Sequence, residues 1–326
     1  MDVSNQNRPR VAAIIPAYNG EAFIADAIES VLAQTYPVSE IVVVDDGSTD
    51  QTAGVVERYA SRGVRCIRQA NLGPTAARNR GIAETKGELL AFLDCDDIWL
   101  PEKTALQVEY LTANPQVGLV AGHCWFWDTQ TNQRWLERAD TGPKANIWRE
   151  LMIQNCIGTP SGVMVRRRTL EHVGVFDPKH TWPGDWELWV RVRSRWNIAL
   201  LDRPLIVYRL VPTSMTQHHR WDHVNETFHL SRQFIRNHWP PLWRPILLAR
   251  AWSKREQSRA TLAIHEHLPR RKYLWHATRA LFSYPFDEPR MKLKHFIRAL
   301  VGESLYQAFK RRRAPEGAAG VPSGAM

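Results

Sequence analysis

Apolar and polar positions alternate in blocks along the first hundred residues. Residues 10–15 form a short apolar run, and the stretch from Glu21 to Gln34 sets Phe23, Ile24, Ala27, Ile28, Val31 and Leu32 at helical spacing. This reads as strand, loop, helix. Ile41–Val44 is a β-branched run ending in DDGSTD, whose Ser48, Thr49 and Asp50 can cap a helix over Gln51–Ser61. Val64–Arg68 then predicts a third strand, Pro74–Thr85 a helix, and Leu89–Leu93 a fourth strand ending in DCDD. Further on, Pro101–Ala113 reads as helix, Gly118–Trp127 and Ser161–Val165 as strands, and Asp185–Arg195 as a helix with Leu188, Trp189 and Val192 on one face. Ile198–Leu210 reads as extended chain interrupted at Pro204, and the remainder is mostly helical.

Apolar runs alternating with amphipathic helices predict an α/β fold, a Rossmann-like, mainly parallel sheet flanked by helices. Ligands of such sheets sit beyond the carboxyl ends of the strands. The polar clusters PAYNGE, DDGSTD, NLGPTAARN and DCDD each follow a predicted strand, so four loops should converge on one crevice.

Charge divides the chain. The net charge of the 326 residues is +10, but residues 219–313 hold twenty Lys and Arg against seven Asp and Glu, leaving the rest slightly acidic. The expected organisation is a catalytic domain over 8–215, with a nucleotide half to about 100 and an acceptor half from 101. A helical basic region over 216–310 and a disordered tail over 311–326 should follow. Four scattered cysteines suit a reducing cytoplasm, and neither a secretory leader nor an apolar run of eighteen residues is present. A cytoplasmic protein, peripheral on the inner face of the cell membrane if it meets one, is therefore expected.

Asp94 and Asp96 flank Cys95 after a buried apolar run, which puts two hard oxygen ligands near a strand end, where Mg²⁺ or Mn²⁺ can also hold a diphosphate. An Asp-rich polar loop is the plainer alternative. Tyr18 offers a flat face for a base, and Asp46 can accept hydrogen bonds from a ribose or a base; a packed tyrosine and a turn-forming aspartate are their alternatives.

The segments VAAIIPAYNGE, IVVVDDGSTD, NLGPTAARNRG and AFLDCDD, in this order and spacing, resemble the bacterial family 2 glycosyltransferases of the GT-A fold over about residues 10–210. The resemblance implies that Pro16, Tyr18 and Asp46 line the nucleobase and ribose pocket with Asp45 close by. It implies that Asn71, Gly73 and Arg78 border the donor, and that Asp94 and Asp96 form a DxD element with Asp96 as direct metal ligand. PGDWELWVR resembles the segment in which an Asp opens a helix under the acceptor site, making Asp185 the base and Glu187 its rival. Many relatives have an acidic residue where this chain has Gly184. His218 and His219, after the segment ending VYRLVPTSMTQ, occupy the region where some relatives bring a His to the metal, a surface or packing pair being the plainer alternative, and Trp182 and Trp186 either stack on an acceptor sugar or pack as core aromatics.

The expected function is transfer of a sugar, with inversion, from a nucleoside-diphosphate sugar to an acceptor hydroxyl, in cell-surface polysaccharide or glycoconjugate assembly. A UDP-sugar is the favoured donor, and a saccharide or lipid-linked species the acceptor. Two readings compete. A nucleotidyltransferase acting on a sugar phosphate would use a similar sheet, but PAYNGE is not a Gly-rich basic phosphate loop. A nucleic-acid-binding tail would use Arg and aromatic residues, but no recognised nucleic-acid motif is present. Trp239, Trp243, Trp252, Trp275 and Phe296 among Arg and Lys suit an anionic membrane surface instead, or ordinary packed helices.

Overall fold

The computed structural model describes residues 8–137, 147–180, 183–211, 220–266, 268–284 and 289–301. The chain divides into two compact units, Met1–His219 and Arg220–Met326.

The first unit opens with β1 (Val11–Ala17), α1 (Ile24–Leu32), β2 (Glu40–Asp45), α2 (Thr52–Glu57), β3 (Val64–Arg68), α3 (Pro74–Ala83) and β4 (Leu89–Phe92). β1 pairs in parallel with β2 and with β4, and β2 in parallel with β3. The order β3-β2-β1-β4 reverses direction between β1 and β4, the point at which such sheets leave a crevice at their carboxyl ends. Every residue of β1 and β4 is buried, as the two-sided burial of a parallel sheet requires. On α1 the buried Ile24, Ala27, Ile28 and Val31 form one stripe, packed with Ala13, Ile15 and Val43 of the sheet. Burying an aliphatic side chain of this size contributes about 1.5–3 kcal/mol.

Beyond β4 the sheet becomes mixed. β5 (Ile98–Trp99), α4 (Lys103–Ala113), β6 (Val117–Asp128), β7 (Arg134–Glu137), α5 (Ile147–Leu151), β8 (Met164–Arg166), α6 (Arg167–Val173), α7 (Gly184–Arg193) and β9 (Asn197–Leu210) complete the unit. The order continues β4-β8-β6-β9-β5, with β8 antiparallel to both neighbours, β9 parallel to β6, and β7 paired antiparallel on β6.

Three local outcomes differ from the sequence expectation. Pro204 does not break the last strand, because the pairing of β9 with β6 shifts register around His123, the partner of Pro204, and an irregularity tolerates the missing N–H. Ser161 lies in a 3-10 turn, Pro160–Gly162, ahead of β8. Of the three capping candidates, Asp50 accepts from Thr52 N at 2.9 Å, whereas Ser48 and Thr49 bind Asn19.

The second unit contains α8 (Arg220–His238), α9 (Arg244–His265), α10 (Arg270–Ser283) and α11 (Pro289–Val301) among its described residues. Ala260, Ala263, Tyr273 and Ala277 form its small core, and Ser253 Oγ donates to Ala280 O at 2.7 Å between α9 and α10. Trp239, Trp252 and Phe296 are half-buried, while Trp243 and Trp275 are exposed. No helix among the described residues is long and apolar enough to cross a membrane.

Candidate active site

The loops after β1 and β2 are stitched together. Asn19 N donates to Ser48 Oγ at 2.9 Å, Thr49 N to Asn19 Oδ1 at 2.9 Å, Gly20 N to Thr52 Oγ1 at 2.8 Å, and Gln51 N to Glu21 Oε2 at 2.8 Å. Asn19 takes a positive φ of 49°, a conformation its short polar side chain tolerates. Tyr18, at the mouth of this loop, is 47% exposed, whereas Pro16 is buried within β1.

The second and third loops meet at Asp46. Its Oδ1 accepts from Leu72 N at 2.9 Å and Gln69 Nε2 at 2.8 Å, and its Oδ2 from Gly73 N at 2.7 Å. Asp45, fully buried, accepts from Ser48 N and from Arg68 Nε, each at 3.0 Å, and so closes the turn and ties it to β3. Gly47 has φ +76°, and a Cβ there would stand 2.9 Å from Asn71 N, so the approach of the third loop requires glycine. Gly73 has φ +88° as the residue preceding α3, and Asn71 is exposed beside it.

Asp94, Cys95, Asp96 and Asp97 close the fourth side. Arg78 of α3 donates from Nη2 to Asp94 Oδ1 at 2.5 Å, and its guanidinium lies 5.7 Å from the Phe176 ring. Burial and the neighbouring Asp94 raise the Asp96 carboxyl to about 6, while the Arg209 and Arg78 charges pull it down. Cys95 packs under the first loop, where a Cβ on Gly20 would meet its Sγ at 2.9 Å; burial, with Asp96 and Asp94 beside it, pushes the thiol well above its usual range. Asp97 is fully buried, accepting from Ser161 Oγ at 2.6 Å and Arg209 N at 3.1 Å. Ser161 Oγ also accepts from Asp94 N at 3.0 Å, so one hydroxyl links the two ends of the DCDD run.

Asp185 lies in the first turn of α7. Its Oδ1 accepts from Trp186 N at 2.7 Å and its Oδ2 from Asn155 Nδ2 at 3.1 Å. Burial raises its carboxyl to about 6; Arg78 acts against that rise and Asp94 adds to it. Arg78, Asp94, Asp96 and Asp185 thus share one electrostatic neighbourhood. Glu187 faces elsewhere, pairing with Arg191 through Nε–Oε1 at 2.7 Å and Nη2–Oε2 at 2.8 Å. Gly184 approaches Thr75, whose Oγ1 would lie an ordinary 3.4 Å from an added Cβ. Trp186 is buried, donating from Nε1 to Leu151 O at 2.7 Å, which removes it from sugar stacking. His218 and Trp182 lie outside the described residues.

The residues present fit a hard divalent cation. Two carboxylates at a strand end, one of them raised by burial and then by its neighbour's charge, form an oxygen donor set whose repulsion a cation relieves. Among the described residues no group of three or more His, Cys, Asp and Glu gathers for a metal.

Asn155, Asp97, Ser161 and Arg209 were not singled out from the sequence. Asp97 was visible as the last letter of DCDD. The others lie 58 to 112 residues beyond Asp97, and no local pattern marks them.

Residues 12–174 match the family described as Glycosyl transferase family 2. A Nostoc protein, an uncharacterized glycosyltransferase, is 37% identical over 189 residues, 55% of this chain and 56% of that one. The Bacillus subtilis TuaG glycosyltransferase, assigned provisionally to teichuronic acid biosynthesis, is 27% identical over 71% of this chain and 90% of its own. The match spans about half of the Nostoc relative and 33% of one from Rickettsia felis. Among solved structures, Staphylococcus aureus TarS 1-349 in complex with UDP-GlcNAc has a TM-score of 0.60 at 17% identity, over 94% of this chain and 93% of that chain. The Pyrobaculum calidifontis mannosyltransferase PcManGT, in complex with GDP-Man and Mn²⁺, has a TM-score of 0.59 at 22% identity, over 93% and 88%. These neighbours share the GT-A-like fold, and with half of its length matched by the family, the chain belongs to glycosyl transferase family 2.

Proposed function

We propose that the protein transfers a sugar, with inversion, from a nucleoside-diphosphate sugar to an acceptor hydroxyl, in the assembly of a cell-surface glycan. The observation that carries this is Asp185 in the first turn of α7, held by Asn155 and raised to about 6 in the electrostatic field of the Arg78–Asp94 pair, while its rival Glu187 is tied to Arg191. A carboxylate with that pKa is ionised near neutrality yet basic enough to accept a proton in the transition state.

Tyr18 supplies an exposed flat face for the nucleobase, above the buried Pro16. Asp46 orients the third loop through the N–H groups of Leu72 and Gly73, and its remaining lone-pair site is the one open to a donor hydroxyl. Asp45 holds the turn that carries it, and Asn71 and Gly73 border the donor. Asp96 and Asp94 would hold Mg²⁺ or Mn²⁺, and such an ion, when bound, supplies positive charge to the departing diphosphate. Asp185 accepts the acceptor's proton as the oxygen attacks the anomeric carbon. The new C–O bond forms on the face opposite the breaking bond to phosphate, and Asn155 holds the carboxylate in place. One base suffices, unlike the paired carboxylates of glycoside hydrolysis.

The relatives support a glycan substrate, and the UDP-, UDP-GlcNAc- and GDP-Man-bound neighbours support a nucleotide-sugar donor, a UDP-sugar above others. An anionic membrane surface bearing a lipid-linked acceptor is the place of action that the basic second unit favours. Screening the purified protein against a panel of nucleotide sugars with Mg²⁺ or Mn²⁺ is the test. Release of nucleoside diphosphate is expected, and release of pyrophosphate from nucleoside triphosphate and sugar phosphate would overturn the reading.

A further inference from the structure

The second unit holds a cluster that the proposed chemistry leaves unused. Glu256 on α9 is fully buried and meets His276 Nδ1 at 2.8 Å, with Arg259 at 3.7 Å and Arg279 at 3.8 Å. Burial pushes its carboxyl up, but His276 and the arginines outweigh that and leave it below the usual range. A buried charge ringed in this way adds little stability over apolar packing, and its effect is to fix the geometry of its partners.

Those partners line a groove. Trp221 on α8 and Trp275 and His276 on α10 border a space of about 880 Å³, together with Leu268, the basic Arg259, Arg271 and Lys272, and the single acidic Glu266. Both indoles are held. Trp221 Nε1 donates to Glu266 Oε2 at 2.6 Å, and the Arg279 guanidinium lies 5.3 Å from the Trp275 ring and 4.9 Å from Trp252. Trp275 nevertheless remains 60% exposed. An exposed indole with a guanidinium over its ring is held in one orientation and is a stacking platform that loses little entropy on binding. Arg271 and Lys272 are exposed beside it and give the groove a positive edge.

We propose that this groove binds a phosphorylated saccharide, the indoles of Trp275 and Trp221 packing on the sugar while Arg271 and Lys272 take the phosphate. A volume of this size accommodates a disaccharide or larger unit. Binding does not depend on the transfer reaction; that the bound species is the acceptor does rest on the proposed function.

The test titrates the full chain with maltose 1-phosphate, maltose and inorganic phosphate, followed by calorimetry, and compares Trp275→Ala and the double variant Arg271→Gln/Lys272→Gln. Maltose 1-phosphate should bind roughly tenfold more tightly than either part alone. Trp275→Ala should weaken it roughly tenfold, and the double variant should erase the preference for the phosphorylated sugar over maltose. Nucleotide-sugar hydrolysis should be unchanged in both, so a protein that fails to hydrolyse any donor but still binds maltose 1-phosphate separates this proposal from the catalytic one. Vesicles of phosphatidylinositol and of phosphatidylserine distinguish the source. Binding to phosphatidylinositol that maltose 1-phosphate displaces supports a lipid-borne phosphosugar, and soluble binding alone supports a free one. Affinity for maltose 1-phosphate no greater than for maltose or inorganic phosphate, or unchanged in Trp275→Ala, overturns the proposal.

Discussion

Arg78 on α3 reaches the carboxylate of Asp94 at the end of β4, with Nη2 2.5 Å from Oδ1, and the same guanidinium lowers the pKa of both Asp96 and Asp185. One cation therefore balances three carboxylates from two distant stretches of chain. Replacing it with Ala removes a charge that favours the ionised form of Asp185, so the carboxyl should rise above about 6. The proposed mechanism uses the ionised base, so the acidic limb of the pH–rate profile should move to higher pH in Arg78→Ala and return part of the way in Arg78→Lys. An unmoved limb would separate Arg78 from Asp185.

Asp185→Asn should lower turnover by about 10²- to 10⁴-fold while leaving nucleotide affinity near normal, because the amide keeps the shape but cannot accept the proton. Stability should move the other way. A carboxyl raised to about 6 in the folded protein contributes its stability below the unfolded value near 4 and loses it as pH rises through 6. Asn does not ionise, so melting temperatures at pH 7–8 should be higher in the variant, by at most about 3 kcal/mol of stability, and should converge with the parent at pH 4. Glu187→Gln is the control. It breaks the pair with Arg191, costs stability of about 1 kcal/mol, and should spare turnover.

Asp96→Ala should abolish metal-dependent binding of nucleoside diphosphate as well as turnover, since a hard cation loses a main carboxylate ligand. Calorimetric titration with nucleoside diphosphate, with and without Mn²⁺, reads this directly. Metal-dependent affinity equal to that of the parent would remove Asp96 from the site.

β1, β2 and β4 and the loops after them were legible because parallel strands buried on both faces read as uninterrupted apolar runs, and because each polar loop starts where a run stops; β3 at the sheet edge buries only Val64 and followed from the repeat of strand and helix. β5 and β7 were not. β5 has two residues, and β7 is an exposed ribbon with no buried position, so neither carries a periodic signal. The site divides in the same way. Asp94, Asp96 and Asp185 stand at helix or strand ends that sequence marks, whereas Asn155 and Ser161 reach the site through tertiary packing. For Asp46 residue type, and for Asp45 the family resemblance, suggested contact with a ligand. The geometry commits them to structure, with three hydrogen bonds from backbone N–H groups of Ser48, Leu72 and Gly73 and two from the side chains of Arg68 and Gln69.

Gly47 and Gly73 both have positive φ but differ in surroundings. A Cβ at Gly47 would stand 2.9 Å from Asn71 N, whereas at Gly73 it meets nothing within 4 Å. Gly73→Ala should therefore meet backbone strain alone, about 1–3 kcal/mol because φ +88° with ψ 164° is a region that glycine alone enters readily, and leave the loops in place. Gly47→Ala adds a clash with backbone and should weaken nucleotide affinity by displacing the third loop. Equal losses of nucleotide affinity in the two variants, read by titration, would show that the loops do not need this close approach.

The last prediction concerns the membrane. Leu242 is 80% and Trp243 52% exposed at the start of α9, with Ile246 42% exposed one turn on and Arg244 between them. Apolar side chains of this size beside basic residues form the chemistry of an interfacial contact, in which hydrocarbon enters the headgroup boundary and cations meet anionic lipid. Each basic residue near such a surface contributes roughly 1 kcal/mol, screened within a Debye length, so sedimentation of the full chain with phosphatidylserine vesicles should fall as salt rises. Insertion of Leu242 and Trp243 does not depend on salt, so a residual bound fraction should persist at high salt and vanish in the double variant Leu242→Ser/Trp243→Ser. The same variant should keep its melting temperature, because neither side chain is buried. It should also keep donor hydrolysis, because both residues belong to the second unit. If the intact protein ignores anionic vesicles even at low salt, the basic faces of α8–α11 are the solvated sides of structural helices, and the membrane reading is withdrawn.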